Sequence, residues 1–147
     1  CALGRNGISS DKTEGDGCTP AGSFPVRRLL YRPDRVRDFD CRLPMQPLSI
    51  ADGWCDDPKD MAYNQLITRP YRGRHEALWR EDSLYDLVLV IGHNDDPIVP
   101  GKGSAVFLHV TDGQATEGCV AVPEANMVAL LKWLNPSAHP RILIGVG

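Results

Sequence analysis

No stretch of this sequence approaches the roughly 20 consecutive apolar residues that a membrane-spanning helix needs, so no membrane span is expected. An excess of either charge is also missing. Lys and Arg number 16 against 19 Asp and Glu, a formal net charge of −3, and the basic residues are scattered among acidic ones. That removes the electrostatic footprint of a nucleic-acid binder. The densest basic stretch, Arg27-Arg28 through Arg32, Arg35 and Arg37, is broken by Asp34 and Asp38 and reads as a solvated loop face. No C-x-x-C or H-x-x-x-H spacing occurs, so no metal and no cofactor is expected. Internal repeats and low-complexity tracts are absent. The chain starts at Cys1 with neither a methionine nor a signal peptide. It is therefore expected to be a processed or trimmed form, with any export signal lost from this chain.

What is present describes one ordinary globular domain. Apolar residues make up 42% and charged residues 24% of the 147 positions, and that length allows one core rather than two, so a single domain over residues 1–147 is expected. The first half, rich in Gly, Pro and Asp, suits a mainly β fold with long connections. Residues 24–31 read as a strand entered through the turn Pro20-Ala21-Gly22. From 32 to 74 no periodicity is sustained, and an irregular segment that long reads as a lid or cleft wall. Within it, Trp54 either pins the loop to the core or contacts substrate. Residues 75–80 read as one or two helical turns. Residues 85–91 form the strongest strand, mostly apolar and so central, and end in the polar turn His93-Asn94-Asp95-Asp96-Pro97. Pro123 and Glu124 open a helix whose stripe of Met127, Leu130, Leu131 and Leu134 is core, and Asn135-Pro136 stops it. Residues 141–146 read as a closing strand.

Chemistry concentrates late in the chain. The apolar run Ala105-Val106-Phe107-Leu108 closes on His109, which places an imidazole at a strand end. Ten positions on, Thr116-Glu117-Gly118-Cys119 enters a second short run, Val120-Ala121-Val122. Neighbouring strands can set imidazole and thiol side by side. Thiol catalysis needs that pairing, because the thiolate is the nucleophile and a free cysteine, with a pKa of roughly 8.5, is mostly protonated at neutral pH. Gly118 lets the backbone turn tightly, and the amides around Cys119 are then candidates to face an oxyanion. The plainer alternative is a buried cysteine beside a satisfied polar group. His93 is a candidate substrate contact or support for the pair, with a simple turn cap as its alternative, and Asn94 follows it in the same turn. With Cys119 free, Cys1, Cys18, Cys41 and Cys55 allow three pairings. A Cys41–Cys55 bridge is favoured, since it would tie down the turn-rich middle segment.

Three elements in order, Thr19-Pro20-Ala21-Gly22-Ser23-Phe24, then Leu108-His109, then Gly118-Cys119, resemble the L,D-transpeptidase catalytic domain, the YkuD domain. The resemblance covers almost the whole chain. It implies a mainly β, mixed β-sandwich with one main helix near the C-terminus and long loops. There are three departures. Glu117 stands where the family usually has histidine, Ala121 where it commonly has a basic residue, and the interval from His109 to Cys119 is shorter than usual. The lost cation removes a carboxylate clamp, so the chemistry carries over better than the substrate contacts do. The resemblance implies a divergent branch.

By that resemblance Cys119, His109 and Gly118 are the catalytic set, and His93, Asn94, Thr116, Glu117 and Trp54 are candidate substrate contacts. His109 either takes the Cys119 proton or holds the thiolate as an ion pair, which would make Cys119 label rapidly near neutral pH. The partner implied is a peptidoglycan stem peptide, cross-linked through a thioester to a diaminopimelate amine, with diaminopimelate or L-Ala as acyl donor. Hydrolysis of stem peptides or cross-links is the alternative, and a non-catalytic wall-binding module the rival of another class. A periplasmic or otherwise exported monomer is expected.

Overall fold

The structure, a computed structural model, describes residues 1–145. In chain order its elements are β1 (Ile8–Ser9), β2 (Thr19–Pro20), β3 (Gly22–Tyr31), β4 (Met45–Pro47), β5 (Asp52–Cys55), β6 (Leu66–Thr68), β7 (His75–Ala77), β8 (Leu87–Ile91), β9 (Phe107–Val110), β10 (Val120–Val122), α1 (Glu124–Trp133), a 3₁₀ turn (Pro136–Ala138) and β11 (Arg141–Ile144). The main sheet runs β10-β9-β8-β3-β11, with β4 added alongside β3; β6-β5-β7 form a second, three-stranded sheet. Among the described residues the fold is mainly β with a single α-helix, as the composition and the motifs imply.

β8 is buried along its whole length because both faces of the sheet are covered. Its side chains alternate: Leu87, Leu89 and Ile91 join the cluster that holds Met127, Leu131 and Leu134 of the helical segment. Val88 and Val90 join the cluster that holds Leu48, Trp54 and Leu78 beneath the second sheet. Period-two alternation thus sends one continuous apolar run into two cores. In α1, Met127 and Leu131 are fully buried, one turn apart on a single face.

Four expectations need correction. Residues 75–80 do not form a helix, since His75–Ala77 is strand β7, paired with β5. The segment 32–74 is not irregular throughout, because it contains β4, β5 and β6. Strands of three or four residues are too short to display a period, so neither was visible as a pattern. His109 is not at a strand end; it is the third residue of β9, which continues to Val110. Cys41 and Cys55 are not bridged, and all five cysteines are free. Cys41 packs against the helix-side cluster, whereas Cys55 is buried in β5 of the other sheet, so the two thiols belong to different layers. Of the closing strand, 141–144 form β11, antiparallel to β3; Val146 lies outside the described residues.

Candidate active site

β9 and β10 are parallel neighbours, with Leu108 opposite Val120 and His109 opposite Ala121. Paired residues project from the same face, so His109 and Ala121 share a face, and Cys119, two residues before Ala121, projects there too. This is the face beneath the second sheet. His109 and Cys119 are 5% and 7% exposed, and both line one cavity of about 450 Å³. The pairing of two short strands brings imidazole and thiol to the lining of one cavity.

The local geometry fixes the state of each group. Nδ1 of His109 lies 2.7 Å from the Val110 carbonyl, which must accept a proton from it. Nδ1 is therefore the protonated nitrogen and Nε2 carries the lone pair, the form a general base requires. The ring also sits edge-to-face against Tyr85 at 5.2 Å. Burial depresses the His109 pKa below its ordinary value of 6.5, against the Val110 hydrogen bond that raises it. Burial pushes the Cys119 thiol up to about 12, with Glu76 adding to the rise and the Phe107 N–H and Lys12 opposing it. Both directions disfavour a thiolate–imidazolium pair. They favour a neutral thiol and a neutral imidazole, and run against the expectation of a thiol that labels rapidly near neutral pH. Sγ is placed to donate to the Ala105 carbonyl at 3.2 Å and accepts from the Phe107 N–H at 3.3 Å.

The turn that delivers Cys119 is built by two threonines. Thr116 Oγ1 donates to the Cys119 carbonyl at 2.6 Å and accepts from the Gly118 N–H at 3.1 Å. Thr19, a hundred residues earlier, donates to the same carbonyl at 3.3 Å while accepting from the Gly4 N–H at 2.8 Å. The Thr-Pro motif and the Gly-Cys motif are therefore one structural unit. Gly118 has φ +144°, and a Cβ there would stand 2.9 Å from the Cys18 carbonyl oxygen. Gly118→Ala should cost about 1–3 kcal/mol of stability, the scale of a strained backbone position, together with most of the activity. Denaturant titration alongside a turnover assay checks this.

The cavity collects Thr116, Glu117 and Gly118 with Cys119 and His109. Glu117 is at its rim, 81% exposed and ion-paired with Arg5, a surface contact of small energetic weight. Trp54 and His93 are not in this cavity but line a second one, shared with Arg27 and Asp95. Trp54 donates from Nε1 to Asn64 Oδ1 at 2.9 Å and meets Phe107 edge-to-face at 5.0 Å. His93 Nε2 lies 3.0 Å from the Lys102 carbonyl. Asn94 closes its own loop, donating to the Val99 and Gly103 carbonyls and accepting from the Val99 N–H.

Sequence reasoning missed four residues that shape the site. Asn64 is buried; it accepts from Trp54 Nε1 and the Ala105 N–H, and donates to the His93 and Asn94 carbonyls. It thus fixes the segment whose Ala105 carbonyl faces the sulfur. Tyr85 donates to Glu76 Oε1 at 2.5 Å. Burial raises both pKa values, and the carboxyl and phenol share the cavity with Cys119 and His109. Lys12, 8% exposed, reaches the same cavity. Only Tyr85, as the aromatic opening of the strongest strand, carried any signal; the others act over distances that no local pattern encodes. Among the described residues no group of three or more His, Cys, Asp or Glu side chains is placed to hold a metal ion.

The family model of the L,D-transpeptidase catalytic domain, YkuD, matches residues 1–144. No curated protein and no solved structure gives a match. A match of that extent, over a fold in which the His and Gly-Cys elements line one cavity and Thr19 bonds to the Cys119 carbonyl, places this chain in the L,D-transpeptidase catalytic-domain family.

Proposed function

We propose that the protein is a peptidoglycan L,D-transpeptidase that works through a thioester on Cys119. The observation that carries this reading is the hydrogen bond of His109: Nδ1 lies 2.7 Å from Val110 O, which assigns the proton to Nδ1 and leaves Nε2 as the basic nitrogen of a ring that lines the same cavity as the thiol. As Sγ attacks a stem-peptide carbonyl, His109 takes its proton. This transfer converts two neutral groups in step with bond formation, so the charged pair never has to persist in a buried site. The Phe107 N–H, already directed at Sγ, stabilises charge that develops there.

The oxyanion of the tetrahedral intermediate is received by the amide of Cys119. The Gly118 amide joins it once the Thr116 hydroxyl releases it. His109 returns its proton to the departing amine, and the thioester remains. An amine of a second stem, diaminopimelate by family likeness, then attacks the thioester, gives up a proton to His109 and restores the thiol. Thr116 and Glu117, at the cavity wall and rim, meet the incoming peptide, while Trp54, His93 and Asn94 support the walls from behind. Such a reaction belongs to an exported protein acting on the cell wall.

The test is mass spectrometry of muropeptides after incubating purified sacculi with the protein. New cross-linked dimers are expected, and fragmentation would name diaminopimelate or L-Ala as the acyl donor. Trimmed monomers without dimers would assign hydrolysis instead, and an unchanged profile would contradict both.

A further inference from the structure

Three cationic side chains line the cavity: Lys12, Arg74 and Arg80. Arg74 is committed to Asp56 with its side chain 59% exposed, and Arg80 is committed to Asp82. Lys12 differs from both. It is buried, its Nζ would lie 3.6 Å from a Cβ placed on Gly118, and its stem packs against Gly103. The ammonium thus stands beside the turn that presents the nucleophile. Of its three donors, one goes to the Thr13 carbonyl at 3.0 Å and one to Asp16; the third has no acceptor among the described residues. Asp16 is held from behind by the Thr13 and Cys18 N–H groups, each at 2.8 Å, and does not line the cavity. The cation therefore faces the reaction space while its counter-ion stays outside. The carboxylate nearest it in sequence within the cavity, Glu14, accepts from the hydroxyls of Tyr63 and Ser104 at Oε2 rather than from the ammonium.

We propose that Lys12 is an anion-binding residue of the acyl-transfer site, holding a carboxylate that the acyl donor carries next to the carbonyl attacked by Cys119. This rests on Cys119 being the nucleophile. A lysine serving only to fasten the 12–16 loop would need Asp16 but no remaining donor at a cavity wall.

Two alkylating reagents separate these roles without any cell-wall substrate. Iodoacetate and iodoacetamide each form an S–CH2 bond with loss of iodide and differ only in carrying a carboxylate against an amide. The rates of Cys119 modification by each, read by peptide mass spectrometry on the whole protein at one fixed alkaline pH, give a ratio to set against that of a free thiol. The ratio should exceed the free-thiol value. It should fall about tenfold in Lys12→Met, the scale of one charge-assisted hydrogen bond, and be largely kept in Lys12→Arg. Equal changes in both rates, with the ratio unmoved, would overturn the anion site. Should Lys12→Met fail to fold, Asp16→Asn decides: with the counter-charge removed and the ammonium retained, the ratio should rise, and an unchanged or lower ratio overturns the proposal. A Cys119 inert to both reagents would instead contradict the nucleophile assignment, and the anion site with it.

Discussion

Cys119→Ala should reduce cross-link formation by roughly 10⁴-fold or more, the scale seen when a catalytic nucleophile is deleted, while leaving the fold in place. The side chain is small and lines the cavity, where its sulfur hydrogen-bonds only the Ala105 carbonyl and the Phe107 N–H. Removing it disturbs no helix or sheet packing beyond the neighbouring Phe107 and Tyr85. A thermal melt near that of the wild type, together with lost turnover in the sacculus assay, is the expected pair of results. Comparable losses in Cys18→Ala or Cys55→Ala would show that thiol removal acts through folding rather than chemistry.

His109→Ala should lower turnover by about 10²–10⁴-fold, the usual worth of general-base assistance. It should also change the pH profile. Burial holds the His109 pKa below 6.5, so the imidazole is neutral and competent at neutral pH. Activity should persist as pH falls through 6.5 and decline only below it, when the ring gains its proton. In His109→Ala that acid limb should vanish along with most of the rate. The thiol behaves in the opposite sense. With its pKa pushed up to about 12, the wild-type alkylation rate should keep climbing well above the ordinary cysteine value of 9.0 rather than levelling near neutrality. His93→Ala is the control: it lines a different cavity, and its loss should leave the acid limb and the alkylation profile unmoved. An acid limb that follows His93 instead would exchange the two assignments.

The parts of this account legible in the sequence are those written into local patterns. The apolar run of β8, the helix between Pro123 and Asn135, and the glycine ahead of Cys119 each carry their own conformational cause. That His109 and Cys119 line one cavity was legible because β9 and β10 are close in sequence and simple to align. The second sheet was not. β5, β6 and β7 contain charged and polar residues such as Asp52, Thr68 and Glu76, and their strand state comes from pairing with one another. His109 was read as a strand end because its polarity breaks the apolar run, yet the ladder with Val88 carries β9 through it. The protonation state of the site was hidden for the same reason. Sequence places a base near a thiol, but the burial that disfavours charge on both comes from Tyr85, Trp54 and Phe107, converging from two strands and a loop. Thr19 illustrates the limit well: its motif was visible, while its bond to the Cys119 carbonyl exists only in the folded chain.

The central claim is a covalent acyl group on Cys119. Intact-protein mass spectrometry after brief exposure to a purified stem peptide, quenched in acid, tests it directly. The account predicts a mass increase equal to the peptide less its leaving amine, mapped to Cys119, removed by hydroxylamine as a thioester must be, and absent in Cys119→Ala. Turnover of the peptide with no adduct on Cys119, or an adduct that persists in Cys119→Ala, would contradict it.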